Sequence, residues 1–142
     1  MRHGGIAFSC SDLVERVYAV EGIFAAIEDG ERNASLNGIT NVMFFAEKVK
    51  NYLLGVLGEG GLPNGAVAVV DPPRAGMHPK ALRRLVDLAP QAILYISCNP
   101  KILARELPGL VEKYKLEDLQ AVDLFPHTRH VELVASLARV DQ

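Results

Sequence analysis

Apolar residues fall alternately into short unbroken runs and into segments with helical spacing. Val17-Tyr18-Ala19-Val20 predicts a strand ending at Glu21, after which Ile23, Ala26, Ile27, Gly30 and Ala34 recur at helical intervals up to Asn37-Gly38, a pair that stops helices. Val42 to Phe45 predicts the next strand, Glu47 to Leu57 a helix, and the glycine-rich stretch Gly58 to Gly65 a loop. The run Ala66 to Val70 predicts a strand ending at Asp71. A turn follows, then a helix from about Pro79 that buries Leu82, Leu85, Val86 and Ala89. Ala92 to Ile96 is strand-like, and Pro100 opens a helix presenting Leu103, Leu107, Leu110, Val111 and Tyr114, which Pro108 is expected to break or kink.

Unbroken apolar runs suit strands covered on both faces, as in a parallel sheet between helices. The tail differs: Leu119 to Leu124 and Val131 to Val140 are separated only by Phe125 to His130, too short a connection for a crossover helix, so these strands are expected to pair antiparallel. The expected fold is α/β, repeated βα units closed by a β-hairpin, in one domain over residues 1–142. Open sheets of this kind bind ligands at the carboxyl ends of their parallel strands, where Glu21, Asp71 and Cys98 lie.

With 142 residues, 49% of them apolar, the chain can bury a core of its own. No apolar run is long enough to span a bilayer and the first residues lack the build of a signal peptide, so a soluble cytoplasmic protein is expected. Two cysteines, Cys10 and Cys98, make neither a disulfide framework nor a four-thiolate metal site, which points to a reducing compartment. The net charge of −2 hides an asymmetry: residues 71–105 carry six Lys or Arg against Asp71 and Asp87, a local +4 that leaves −6 elsewhere. Such a segment suits phosphates, or is simply a solvated helix surface.

Three polar clusters stand at predicted strand ends: Asp71-Pro72-Pro73-Arg74, Ser97-Cys98-Asn99-Pro100, and Phe125-Pro126-His127-Thr128-Arg129-His130-Val131-Glu132. Each has a plain reading beside a chemical one. Cys98 is a presented thiol or an ordinary half-packed cysteine. Glu132 is a solvent-facing acid, or a partly desolvated base in a buried strand start, since Val131, Leu133 and Val134 flank it. Asp71 is a site residue or a helix cap; Arg74 meets a phosphate or a surface acid. Glu21 by itself says nucleotide and no more. His127 and His130 have no third ligand of suitable type nearby, so no metal is expected. Cys10 is expected to be structural.

Taken in order, Val20-Glu21 with Ala34-Ser35-Leu36-Asn37-Gly38-Ile39, Asp71-Pro72-Pro73-Arg74-Ala75-Gly76, Ser97-Cys98-Asn99-Pro100, and Asp123 with Phe125-Pro126-His127-Thr128 and His130-Val131-Glu132 resemble the S-adenosylmethionine-dependent RNA 5-methyluridine methyltransferases. The resemblance runs from about Gly4 to Val140 and implies a Rossmann-like class I methyltransferase sheet acting on transfer or ribosomal RNA. It implies Cys98 as the nucleophile that adds to carbon 6 of uracil and Glu132 as the base that removes the carbon 5 proton. Glu21 corresponds to the acid on the donor's ribose, Asp71 lies beside donor and target base, and Gly4 and Gly5 correspond to the tail of the donor loop. Pro72, Arg74, Asn99 and His127 fall on the substrate side.

Parts of the family pattern are missing. The chain has no RNA-binding β-barrel and no iron–sulfur cysteines, and the first strand with its Asp-x-x-Cys-Gly-x-Gly loop is absent; Glu47 stands where an aspartate contacts adenine. The expectation is therefore a truncated carboxyl-terminal catalytic domain with weakened or lost affinity for S-adenosylmethionine. The competing expectation is an inactive module of this fold that binds RNA or a protein partner. An adenine-amino methyltransferase fits less well, because Arg74 replaces the aromatic residue of its base-stacking loop and that chemistry has no use for Cys98. The missing strand would lie mid-sheet, so either Gly5 to Cys10 fills its place or a second chain completes the sheet in a homodimer.

Overall fold

A computed structural model describes residues 5–124, 126–128 and 130–140. The chain forms two compact units, residues 1–52 and 53–142.

The first unit holds α1 (Gly5–Ser11), β1 (Val17–Glu21), α2 (Phe24–Leu36) and β2 (Val42–Ala46). β1 and β2 pair in parallel, from Val17 opposite Val42 to Glu21 opposite Ala46. α2 buries Ile27, Gly30 and Ala34, the stripe expected from their spacing. It ends where the sequence says it should: the Asn37 side-chain amide donates to the Asn33 carbonyl at 2.8 Å, and Gly38 takes the left-handed φ of +66°. Gly30 faces the Phe44 ring so closely that a Cβ there would lie 2.7 Å from it.

The proposed substitute strand does not exist. Gly5 to Cys10 lies in helix α1, because Ala7 and Ser11, four residues apart, share the buried face, and the ring of Phe8 meets that of Phe44 edge-on at 6.4 Å. Alternation would have separated Ala7 from that face. The homodimer alternative finds no support in the described residues, where β1 and β3 each have one strand neighbour.

The helix α3 (Val49–Gly58) runs across the boundary between the units. The second unit continues with β3 (Val67–Val70), α4 (Pro79–Leu88), β4 (Ala92–Ser97), α5 (Pro100–Val111), β5 (Tyr114–Val122) and β6 (Glu132–Arg139). Its sheet has the order β3-β4-β6-β5, with β3 and β4 parallel and β6 antiparallel to both its neighbours. The hairpin is as expected, but β5 starts earlier than the apolar pattern suggests. Tyr114 opens it rather than extending α5, being fully buried with its hydroxyl on the Pro90 carbonyl at 2.8 Å.

Alternate residues of β4, Ile93, Tyr95 and Ser97, are buried, and Ile93 and Tyr95 join Leu85, Leu103, Leu110 and Leu137 in the core. Two expectations need correction. α4 buries Ala81 and Leu88 in addition to Leu85 and Val86, while Leu82 is half-buried and Ala89 leaves the helix in a left-handed turn at φ 47°. α5 passes through Pro108 and ends three residues later. A proline there denies a hydrogen bond to the Ala104 carbonyl, and both residues are exposed, so water can take that bond. Among the described residues no helix is long and apolar enough to cross a membrane.

Candidate active site

One end of the four-stranded sheet gathers the polar clusters. β3 and β4 run in parallel, with Val70 opposite Tyr95, so Asp71 leaves the sheet level with Ile96, two residues before Cys98. β6 enters the sheet at the same end: Ser97, the last residue of β4, pairs with Leu133, so Cys98 follows and Glu132 precedes the last pair of that ladder. The three residues singled out at strand ends in this unit therefore share one edge.

Cys98 is a half-buried free thiol. The turn that carries it is tied by Ser97, whose hydroxyl donates to the Asn99 carbonyl at 3.1 Å and accepts from the Asn99 amide at 3.2 Å. Glu132 is half-buried, as are Val131, Leu133 and Val134, so the start of β6 is less enclosed than its apolar neighbours suggest. His127 lies exposed in the β5–β6 connection, and His130 is exposed with its amide on the Thr128 hydroxyl at 3.2 Å. Phe125 and Arg129 of that motif lie outside the described residues, as does Gly4. No three His, Cys, Asp or Glu among the described residues cluster as metal ligands would.

Asp71 is exposed and does not cap α4. α4 takes its cap from His78, whose imidazole Nδ1 accepts from the Lys80 amide at 3.1 Å. Pro72 is half-buried and Arg74 exposed. Asn99 has a partner that sequence reasoning did not foresee: its side-chain amide donates to the Arg74 carbonyl at 3.2 Å, so it leaves α5 without a side-chain cap and joins the Asp71 loop to the Cys98 turn.

Two further residues were missed. Glu106 is only 6% exposed, and its carboxylate accepts from the Met77 amide at 3.0 Å and from the Tyr95 hydroxyl at 2.5 Å. Burial, and then the bond to Glu106, push the Tyr95 phenol well above its ordinary range. The available signal was position: Glu106 falls between Leu103 and Leu110 on the apolar stripe of α5, where an acid is out of place unless it is bonded.

In the first unit Glu21 ends β1, half-buried, and one carboxylate oxygen accepts from the Ile23 amide at 3.0 Å. Gly5 opens α1, with open space where a Cβ would stand. Glu47 is exposed, and its amide donates to the Glu21 carbonyl at 3.0 Å.

A family model described as tRNA (Uracil-5-)-methyltransferase matches residues 64–140. An uncharacterized RNA methyltransferase of Bacillus cereus is 40% identical over 140 residues, 98% of this chain and 30% of its own length. One from Streptococcus pyogenes is 42% identical over 137 residues, 96% of this chain and 29% of its own. The chain thus spans under a third of the length of these relatives. Among solved structures, the Pyrococcus abyssi tRNA (uracil-54, C5)-methyltransferase in complex with S-adenosyl-L-homocysteine matches with a TM-score of 0.80 and 33% identity, over 95% of this chain and 32% of that one. The N-methyltransferase NodS of Bradyrhizobium japonicum has a TM-score of 0.73 at 11% identity, over 98% of this chain and 74% of its own, a likeness of fold alone. The fold is that of the class I methyltransferases.

Proposed function

The chain belongs to the tRNA (uracil-5-)-methyltransferase family, and from that premise we propose that its strand-end cluster methylates carbon 5 of uridine in RNA through a covalent bond between Cys98 and the base. Carbon 5 of uracil is a weak nucleophile. Addition of the Cys98 thiolate to carbon 6 moves the electron pair of the 5,6 double bond toward the carbonyl, giving an enolate whose carbon 5 can take a methyl group. S-adenosylmethionine, when bound, supplies that methyl as an electrophile on a sulfonium. Glu132 then accepts the proton from carbon 5, the double bond re-forms and the thiolate leaves.

The observation that supports this reading is the register at the end of the sheet, where Ser97, the residue before Cys98, pairs with Leu133, the residue after Glu132. Nucleophile and base have to act on adjacent ring carbons, and neighbouring positions on paired strands give that spacing. Asp71, Pro72 and Arg74 stand at the same edge, suited to the base and the flanking phosphate. The donor's ribose fits Glu21, whose carboxylate is held at the end of β1 by the Ile23 amide. Gly5 opens α1 and contributes a helix start.

The test is trapping. In a complete enzyme carrying this domain, RNA containing 5-fluorouridine with S-adenosylmethionine should form a covalent complex, because fluorine at carbon 5 cannot be removed as a proton. Cys98→Ala should abolish the complex and Cys10→Ala should keep it. Equal trapping by both variants would overturn the assignment, and no trapping by the parent enzyme would favour a non-catalytic module.

A further inference from the structure

The first turns of α5 hold the loop that follows β3 at three points. Asn99 donates to the carbonyl of Arg74 at 3.2 Å, Arg105 donates to that of Ala75 at 3.2 Å, and Glu106 accepts from the amide of Met77 at 3.0 Å. The Arg105 guanidinium also lies 3.7 Å from the Glu106 carboxylate. Glu106 approaches the loop so closely that a Cβ on Gly76 would overlap its carboxylate and the Ile102 side chain, and Gly76 takes a φ of +90°, a conformation natural to glycine. Tyr95, fully buried in β4, fixes the other side of that carboxylate.

A buried carboxylate is costly unless it is bonded, and this one divides its bonds between the Tyr95 hydroxyl and the backbone of a loop. The helix that holds the loop begins at Pro100, directly after the turn carrying Cys98. We propose that Glu106 is a positioning residue: it locks the Asp71–Met77 loop onto α5, so that Asp71 and Arg74 keep a fixed placement relative to the Cys98 turn. The loop and the turn are one rigid piece built on α5. The consequence for catalysis rests on the reading of Cys98 as nucleophile; the clamp itself does not.

Amide hydrogen exchange on this chain, followed residue by residue, tests the clamp without any activity. Glu106→Gln keeps the shape but weakens acceptance, and should speed exchange at Met77 at least tenfold while the amides of Leu94 and Ser136 in the sheet exchange as before. A general loss of stability would move all of them together, and unchanged protection at Met77 would overturn the proposal. Should Glu106→Gln fail to fold, Arg105→Ala at the exposed arm of the clamp should speed exchange at Met77 about threefold, and no change there would overturn the proposal equally. In a complete enzyme, Glu106→Gln should slow 5-fluorouridine trapping at least tenfold. If the parent enzyme traps nothing, the catalytic reading falls while the exchange result still decides the clamp; trapping at the parent rate with a loosened Met77 would sever the clamp from the chemistry.

Discussion

The two units of the chain are built differently. The second buries Ile93, Tyr95, Leu103, Leu110, Tyr114 and Leu137 to 1% exposure or less, whereas among the described residues of the first the buried apolar ones are Ala7, Ala19 and Ala34, with Ile27 the one large side chain. Large buried side chains each contribute about 1.5–3 kcal/mol by leaving water, alanines much less. The first unit also leaves Leu13 80% exposed and Leu36 73% exposed. The residues proposed to bond with the pyrimidine stand on the rigidly packed unit, and the acid proposed to bind the donor stands on the lightly packed one. Chemistry that needs adjacent ring atoms to be met simultaneously requires the rigid platform.

The largest effect expected from this division is on turnover. In a complete enzyme, Glu132→Gln should lower the rate on ordinary RNA by roughly 10²–10⁴-fold, the usual range for losing a positioned base, with the methylated covalent adduct accumulating on gels. Glu21→Gln should instead weaken donor binding, measured by calorimetry, and leave no adduct behind. If the two variants behaved alike, or if Glu132→Gln lost adduct and folding together, the division of labour would fail.

A smaller effect concerns stability. Leu110→Ala should cost about 2–5 kcal/mol in urea unfolding, the usual loss for a buried leucine. Ile27→Ala, set among alanines and a glycine, should fall at or below the low end of that range. A greater loss from Ile27→Ala would mean that the first unit is the better packed of the two.

The smallest is an alkaline effect confined to the second unit. Tyr95 is held neutral by burial foremost and by Glu106, and Tyr114 by burial, so both folded phenols keep their protons more firmly than unfolded ones. The folded state then binds more protons than the unfolded one above the unfolded pKa of about 10. The stability tied to these groups is whole below that pH and declines as pH rises beyond it, by at most about 1.4 kcal/mol per pH unit for each phenol. Tyr95→Phe should flatten part of that decline in melts between pH 9 and 11, and an unchanged slope would contradict it.

Most of the βα order was legible because each strand is a short apolar run and each helix carries a stripe, as with Ile27, Gly30 and Ala34. α1 was not, because seven residues with one buried alanine and one buried serine give too little periodicity to tell helix from strand. Pro108 misled because its effect depends on whether the carbonyl it deprives is wet, which is a fact of burial rather than of local sequence. Cys98, Asp71 and Glu132 were legible as strand-end residues. Asn99 and Glu106 were not, in the roles the structure gives them, since their partners Arg74 and Met77 are distant in sequence and are backbone groups, which carry no residue-type signal.

The pairing of β4 with β6 has a consequence for how such a domain can diversify. The register of Ser97 against Leu133, beside the residues proposed to react, is written in backbone hydrogen bonds between two neighbouring strands, so it does not pass through the chain joining β5 to β6. That connection can lengthen, shorten or change its residues while the ends of β4 and β6 keep their register. An insertion of one residue within β6 itself would act oppositely, turning the residues before it, Glu132 among them, to the other face of the sheet.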